Sequence, residues 1–363
     1  SFTKSAIGPT ILAFVAASLI YSIVLLAMRI DSLENEGRIE GAMSRESMFL
    51  VNNLIFIVIT FTVLIGTVFP LVVEAIRGKQ MSVGRPYFES MIVPAGVGLL
   101  FLLGLGPALP WGRATREQIL KALAPPLFGA AILAVLGFVL GVRNGWTMAT
   151  LAVGGYAAWV TFAQMWLPVA QRRSRGEPIA DAVIQAQWKR GRRRFASYIV
   201  HAGAVIVIIA ISVSSTMRTQ REATLHKGES ATIQGYVVQF LGIDVRDEPH
   251  RVSTVARFSV TKNGRQVTTL EPRMNQYAAM REPIGTPAVH STLKGDLYLS
   301  LMSIDPASDT AGVLLITTPM VSWIWIAVLL MGLGGLIALI PTKSVYRLAP
   351  EKIVIAAEDA VTS

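Results

Sequence analysis

Four histidines are the side chains of this sequence best suited to bind a metal or to move a proton, and one of them lies in an apolar run. His201 follows Tyr198 within a stretch that is hydrophobic enough to enter a membrane. An imidazole in hydrocarbon needs a partner, so such a residue is a candidate functional site. Two interpretations stay open: a metal ligand or proton relay, and a neutral histidine hydrogen-bonded to a neighbouring helix.

Haem is the natural ligand candidate for His201, because the small residues at 202–204 leave room for a flat macrocycle. The other histidines, His226, His250 and His290, fall in a polar segment, where a surface imidazole is usually solvated. Their wide spacing matches no metal motif. A second axial ligand inside the membrane would therefore be a methionine of this chain or a histidine of another polypeptide.

The absence of cysteine excludes several kinds of chemistry for this chain. Disulfides, thiolate metal sites, a thioether to haem and a cysteine nucleophile all require that residue. We also find no glycine-rich phosphate loop, no paired carboxylates and no serine nucleophile motif. The function of His201 must therefore be inferred from the helices and strands that surround it.

Composition indicates a membrane protein, since 52% of the 363 residues are hydrophobic, only 15% are charged and the mean hydropathy is +0.52. About 20 apolar residues form a helix that crosses a bilayer. The stretches of that length are 10–28, 48–73, 91–109, 125–142, 147–170, 197–213 and 318–341. The sequence therefore predicts a polytopic α-helical membrane protein with about seven transmembrane helices.

The distribution of basic residues predicts the orientation of these helices. With the N-terminus outside, the inner connections hold 17 Lys and Arg and the short outer ones hold 5. The net charge of +10 is thereby explained without a nucleic acid, for which no recognition fold is present. Residues 179–188 precede the basic run 189–194 and have one apolar helical face, which predicts an interfacial helix on the inner leaflet facing anionic lipid.

The segment 216–317 has the alternating pattern of half-buried strands, clearest at 236–240 and 254–260. Asn263–Gly264 is a preferred hairpin dipeptide, and a further strand pair is expected at 296–304 and 312–317. We therefore expect an external all-β domain inserted between transmembrane helices six and seven. Residues 1–215 would hold the first six helices, with a basic cytoplasmic loop at 171–196, and residues 342–363 would form a cytoplasmic tail.

The start of the chain predicts that it is part of a longer protein or of a split assembly. Residue 1 is Ser, few polar residues precede the first helix, and no signal peptide is present.

Several sequence runs, taken together, are typical of one known family. They are SFTKSAIGP at 1–9, SRESMFLVNNL at 44–54, GTVFPLVVEA at 66–75, SVGRPYF at 82–88, PWGRATREQ at 110–118, GRRRFASYIVHAG at 191–203 and VSWIWIAVLLMGLGGLIAL at 321–339. The chain resembles the C-terminal part of the CcmF family, the haem lyase subunits of the bacterial-type cytochrome c maturation system, which belong to the haem-handling proteins.

The resemblance implies a function for His201. Members of this family hold haem b in the membrane through two histidines, and the run at 191–203 places one of them at His201. At an external site, haem from the chaperone CcmE is joined to the CxxCH thiols of apocytochrome c, which CcmH-type partners bring. The tryptophan-rich motif and the remaining haem histidines belong to an N-terminal part that this sequence omits. This chain alone is therefore expected to be an incomplete lyase, with no catalytic residue assigned.

The resemblance further implies the bacterial inner membrane or an equivalent organellar membrane, with the β domain in the periplasm, and electron supply from quinol. Two other classes of function stay open. A permease is favoured by the intramembrane amides Asn52 and Asn53, although inverted repeats are not visible. A noncatalytic assembly scaffold would recruit partners through the β domain.

Overall fold

The computed structural model describes residues 7–33, 43–78, 81–112, 115–189, 191–278, 280 and 282–340. The expected cytoplasmic tail at 342–363 lies outside these residues, as do the first six residues of the chain. The helices, in chain order, are α1 Ile7–Leu33, α2 Arg45–Arg77, α3 Arg85–Ala108, α4 Arg116–Leu123, α5 Pro126–Val139, α6 Gly145–Arg173, α7 Ile179–Val183, α8 Arg192–Thr216 and α9 Val321–Leu339.

Six helical segments among the described residues are long and apolar enough to cross a membrane. They correspond to α1, α2, α3, α4 with α5, α8 and α9. The remaining predicted span, 147–170, forms the long helix α6 but is not one of the six. Composition accounts for the difference, because α6 contains glycines, threonines and glutamines among its apolar residues, which lower its mean hydropathy. The predicted class, a helical membrane protein with a β domain, is confirmed.

Three details of the helices differ from the sequence prediction. The helix expected at 197–213 begins at Arg192, so that three arginines lie in its first turn. The span expected at 125–142 is extended by α4, which ends where Pro125 interrupts the helix. The interfacial helix expected at 179–188 is the single turn α7 followed by a π-helical turn, Ile184–Lys189.

Glycines let several helices approach closely. At the crossing of α5 and α6, a Cβ on Gly129 would lie 2.6 Å from the carbonyl oxygen of Gly155, and a Cβ on Gly155 would overlap the carbonyl oxygen of Gly129. At the crossing of α8 and α9, a Cβ on Gly203 would lie 2.9 Å from the carbonyl oxygen of Ala327. Small residues at such crossings are the usual way in which membrane helices gain packing energy.

Arg45, the first residue of α2, closes the end of α3. Its guanidinium donates to the carbonyl oxygens of Gly106 and Leu109 at 3.2 Å and of Pro107 at 2.7 Å, and it lies 5.2 Å above the ring of Trp111. The last carbonyls of a helix lack the usual partners within the helix, and here one side chain binds those of Gly106 and Pro107 together with that of Leu109, the residue after α3. Arg45 thus joins α2 to α3 at their shared end.

We predict that Arg45→Ala lowers the stability of the helical part by at least about 2 kcal/mol, because hydrogen bonds from a charged donor are lost and carbonyls stay unpaired. The matched control is Arg85→Ala, since Arg85 is the first residue of α3 and makes an exposed pair with Glu89. That change should cost less than about 1 kcal/mol. Thermal unfolding of the detergent-solubilised full chain measures both, and equal effects would contradict this role of Arg45.

The segment between α8 and α9 folds into two antiparallel sheets. The strands are β1 Thr219–His226, β2 Ser230–Ile233, β3 Tyr236–Glu248, β4 Arg251–Lys262, β5 Arg265–Leu270, β6 Arg273–Tyr277, β7 Ile284–Thr286, β8 Ala288–Thr292, β9 Gly295–Asp305 and β10 Thr310–Pro319. One sheet has the order β1-β10-β9-β8, and the other has β2-β3-β4-β6-β7, with β5 also paired to β4. The strands expected from the sequence lie in β3, β4, β9 and β10.

The core of the β domain comes from both sheets. Phe240 and Phe258 are fully buried, 5.2 Å apart between ring centroids, and pack with Leu299 and Leu315 of the other sheet. The alternation of buried and exposed residues along β3 is the pattern that the sequence shows. The hairpin at Asn263–Gly264 has φ values of 52° and 75°, as a tight turn of the type I′ class requires.

The β domain is attached to the helices at adjacent points. Its first and last strands pair, with Thr219 opposite Thr317, so the chain leaves α8 and enters α9 at neighbouring positions. Trp323 at the start of α9 donates from Nε1 to the carbonyl oxygen of Leu293 at 3.0 Å, and Ser322 donates to that of Thr292 at 3.0 Å. These bonds join the β8–β9 turn to the first turn of α9.

Candidate functional site

His201 lies nine residues after the first residue of α8, which is roughly 13 Å along the helix axis. The sequence predicted a position about one turn inside the helix, and this was wrong because the helix begins at Arg192 rather than at residue 197. His201 therefore lies deeper in the helix, well beyond the arginines.

The imidazole of His201 is half-buried and has no hydrogen bond among the described residues. Its Nδ1 is shielded from solvent without a partner. The ring packs edge-on against Tyr198, with 6.1 Å between ring centroids and an interplanar angle of 84°. A buried polar atom without a partner costs about 1–3 kcal/mol. The interpretation of His201 as a packing residue requires a hydrogen bond to a neighbouring helix, and the described helices do not supply one.

The face of α8 that carries His201 is the face that packs on α3 and α6. Val205, one turn further, is buried with Leu100 of α3 and Ala157 of α6. Gly203 lies about 200° away around the helix, where it contacts α9. The expectation that Gly203 leaves room for a macrocycle beside His201 is therefore wrong, because its missing side chain is used for the approach of α9.

A second buried polar atom without a partner lies on α6 at the same level. Ser212 donates to Thr147 at 3.3 Å, and Val205 packs with Ala157, so α6 and α8 run antiparallel. One turn beyond the contact of Ala157 with Val205, the same antiparallel pairing places Thr161 of α6 level with His201 of α8. The Oγ1 of Thr161 is buried and has no hydrogen-bond partner in the described part of the chain. Two helices thus present unpaired polar groups at one depth of the helical bundle.

The other residues considered from the sequence lie away from this place. His226 ends β1, with its Nδ1 3.0 Å from the hydroxyl of Thr310, and His290 is in β8. His250 lies in the exposed turn between β3 and β4. In the same turn, the guanidinium of Arg251 donates to Glu248 at 2.6 Å and lowers the pKa of that carboxyl. The described residues contain no group of three or more His, Asp or Glu able to hold a metal ion.

The two amides expected within the membrane are not part of the site. Asn52 is half-buried and Asn53 is exposed, and both lie on α2. The structure shows no hydrogen bond for either within the ranges that it describes.

Sequence reasoning missed an apolar cavity of about 390 Å³ near the start of α8. Trp166 and Met165 of α6, Trp188 of the π-helical turn and Phe195 of α8 form part of its wall. Gln187, a polar residue of the wall, donates to the carbonyl oxygen of Met165. The available signal was the pair of small residues Ala182 and Ala186, which are buried against Val169 and bring the π-helical turn onto α6. His201 does not line this cavity.

Comparison with known proteins gives matches to cytochrome c biogenesis proteins. The β domain matches a family model described as the CcmF C-terminal beta-sandwich over residues 216–316. The cytochrome c-type biogenesis protein CcmF of Pseudomonas aeruginosa is 29% identical over 341 residues, which are 94% of this chain and 50% of that protein. CcmF of Escherichia coli is 28% identical over 350 residues, covering 95% of this chain and 51% of the relative.

A solved structure named Cytochrome c Heme Lyase CcmF has the same fold. It superposes with a TM-score of 0.66 at 28% identity, over 83% of this chain and 46% of that one. The chain spans about half the length of the curated relatives that it matches.

Proposed function

Because this chain is a CcmF-type protein of the cytochrome c biogenesis and haem lyase family, we propose that it helps to hold haem b within the membrane, with His201 as an axial ligand of the iron. The observation that carries this proposal is the buried Nδ1 of His201, which has no partner in the described part of the chain. An unpaired polar atom within the membrane is energetically costly, so such an imidazole is expected to bind a ligand or to contact another chain.

The surroundings of His201 suit an axial ligand. When one imidazole nitrogen binds iron, the other carries a proton and is usually oriented by a hydrogen-bond acceptor. The hydroxyl of Thr161 lies level with His201 and is itself without a partner in the described part of the chain, so its oxygen is suited to accept a hydrogen bond from the N–H at Nδ1, which leaves Nε2 for the iron. The second axial ligand would come from a histidine of the N-terminal CcmF part or from a methionine here.

A bound haem would supply an iron that takes up and passes on one electron at a time. The residues of this chain would set its position: Tyr198 packs against the imidazole edge, and Leu100 and Val205 exclude water one turn further along the bundle. Electrons would come from quinol at the same membrane.

The wider proposal concerns a second haem, which is the substrate. Haem carried by CcmE would be joined to apocytochrome c, presented by a CcmH-type subunit, when each cysteine S–H adds across a haem vinyl group to form a thioether. This addition needs no net oxidant, although the iron must be kept reduced. The present chain has no cysteine, so it offers no competing thiol.

We also propose an orientation in the bacterial inner membrane. Helix ends near the basic segments are joined in pairs: Arg45 of α2 binds the end of α3, and Arg192 of α8 donates to the carbonyl oxygen of Ile340, just after α9, at 2.9 Å. This side, with the loop at 171–196 and the tail at 342–363, would be cytoplasmic. The opposite side, where α8 ends and α9 begins, carries the β domain of residues 216–317, which would be periplasmic.

The proposal predicts a change in the absorption spectrum. The full chain, isolated from its host membranes with the polypeptides that co-purify, should show the reduced-minus-oxidised spectrum of a low-spin haem b. His201→Ala should reduce that signal at least about tenfold, since an axial ligand is removed. His290→Ala, in strand β8 of the β domain, is the control and should leave the spectrum unchanged. A colourless wild-type complex, or an unaltered spectrum in His201→Ala, would contradict the proposal.

A further inference from the structure

A second cavity, of about 250 Å³, lies where the β domain meets the membrane helices. Met217, just after α8, and Pro319, just before α9, form its wall on the side of the helices. Lys262, Lys294 and Asp296 form its wall on the side of the β domain. The cavity therefore combines an apolar edge with two cationic groups and one anionic group.

The position of the cavity corresponds to a membrane surface. The apolar span of α8 ends at Thr216 and that of α9 begins at Val321, so the boundary between hydrocarbon and water lies close to both. Trp323 and the largely exposed Trp325 begin α9, as is usual at the depth of lipid head groups. Leu293, at the tip of the β8–β9 turn, is 64% exposed and lies beside Trp323. An apolar tip at this level is suited to enter the lipid.

The charged groups of the cavity are not paired with one another. The ammonium of Lys262 lies 3.8 Å from the centre of the Tyr236 ring, which fixes it by a cation–π contact. Lys294 follows Leu293 in the same exposed turn. The Oδ1 of Asp296 is buried and accepts no hydrogen bond from the described residues. No described residue donates to the other oxygen of this carboxylate either, so a donor from a ligand in the cavity would stabilise the charged group.

We propose that this cavity binds the head group of a phospholipid that carries a primary ammonium group. Its phosphate would lie between Lys262 and Lys294, and its ammonium would donate to the carboxylate of Asp296 at the oxygen that faces the cavity. The three groups match a zwitterion better than a simple anion, since the carboxylate beside the lysines would repel free phosphate. The acyl chains would continue past Met217 and Pro319 along α8 and α9. This inference does not depend on the haem proposed at His201.

The cavity is too small for a drug-sized ligand or a large cofactor. Sites for drug-sized ligands and cofactors measure about 300–1,000 Å³, and this one is smaller. The backbones of β9 and β10 approach closely at this cavity, and only glycine fits there, because a Cβ on Gly295 would lie 2.7 Å from the carbonyl oxygen of Thr318. Bound lipid would fill the space between the domain and the helices, and would help to fix the domain on the membrane.

The first test is a ligand series on the unmodified full chain. Delipidated protein in detergent is titrated with short-chain phosphatidylethanolamine, its mono- and dimethyl derivatives, phosphatidylcholine, phosphatidylglycerol and inorganic phosphate, and bound ligand is counted by native mass spectrometry. Phosphatidylethanolamine should bind about tenfold or more tightly than phosphatidylcholine, whose amine cannot donate, with a stepwise loss on methylation. Equal binding of these two lipids, or phosphate binding as tight as that of the lipid, would overturn the proposal.

Substitutions of the charged residues then test which group binds the ammonium and which bind the phosphate. Asp296→Asn should abolish the preference for phosphatidylethanolamine over phosphatidylcholine, whereas the pair Lys262→Met and Lys294→Met should weaken both lipids about tenfold or more. Lys227→Met is the matched control, since Lys227 pairs with Asp309 at the end of β1 remote from the helices. An equal loss in Lys227→Met would indicate unspecific charge binding and contradict the site. If the variants do not fold, the ligand series on the unmodified chain decides.

Discussion

Gly155→Val is expected to prevent stable packing of α5 on α6, with a loss of about 3 kcal/mol or more in the stability of the helical part. At Gly155 a Cβ would overlap the carbonyl oxygen of Gly129, which is backbone and cannot rotate away. The two helices would have to separate along their whole crossing. Because α6 also contacts α3 and α8, the face that carries Thr161 would move relative to His201, and we expect the haem signal to fall as well.

The control for this change is a glycine in open space on another membrane helix. A Cβ on Gly96 of α3 meets no atom within 4 Å, so Gly96→Val tests the change of residue type without the clash. Size-exclusion chromatography and thermal unfolding of the full chain in detergent should show a folded Gly96→Val and an aggregated or strongly destabilised Gly155→Val. Equal stability of the two variants would contradict the close crossing of α5 and α6.

Phe258→Ala is expected to destabilise the β domain by about 3–5 kcal/mol, as large-to-small changes of buried aromatic residues do. Phe258 is fully buried against Phe240, between the two sheets, so the change leaves a cavity at the centre of the sandwich. Many small domains have only about 5–15 kcal/mol of stability, so this loss is a large fraction of the total. The helices should keep their structure, since the β domain has its own core.

Limited proteolysis of the full chain measures this effect, with cleavage expected between residues 216 and 317. The control is Val245→Ala in β3, whose side chain is 56% exposed and which should cost less than about 0.5 kcal/mol. Protection of the β domain in Phe258→Ala equal to that in Val245→Ala would show that the sandwich does not depend on this core.

The sequence predicted those elements that local pattern determines. Apolar length located the membrane helices, and alternation with the Asn263–Gly264 turn located the central strands of the β domain. Strands β1, β2, β5, β6, β7 and β8 were not predicted. Four of them, β2, β6, β7 and β8, have five residues or fewer and too few alternations to be recognised, and β1 and β5 are mostly exposed and lack a clear alternation. The π-helical turn after α7 was missed because it depends on packing against α6.

The environment of His201 could be predicted only in part. Its apolar run showed that an imidazole lies within a helix, but the direction of the side chain depends on which helices pack on each face of α8. The sequence therefore assigned Gly203 to the haem pocket, whereas the structure shows it against α9. The unpaired hydroxyl of Thr161 becomes relevant only through the register of α6 on α8.

The cavity between the β domain and the membrane helices could not be predicted from the sequence for a similar reason. Its walls come from Met217, Tyr236, Lys262, the β8–β9 turn and Pro319, which are far apart in the chain. None of these residues belongs to a motif. Only the two-sheet topology, which places the first and last strands side by side, brings them to one point at the membrane surface.

The central claim, that His201 is an axial ligand of a membrane haem, is tested most directly by ligand replacement. In His201→Gly the imidazole is removed, and free imidazole supplied to the isolated complex can occupy the vacated position. We predict that the low-spin haem b spectrum is lost in this variant and returns on addition of imidazole, while His290→Gly is unaffected throughout. A spectrum in His201→Gly that equals the wild type without imidazole would contradict the claim.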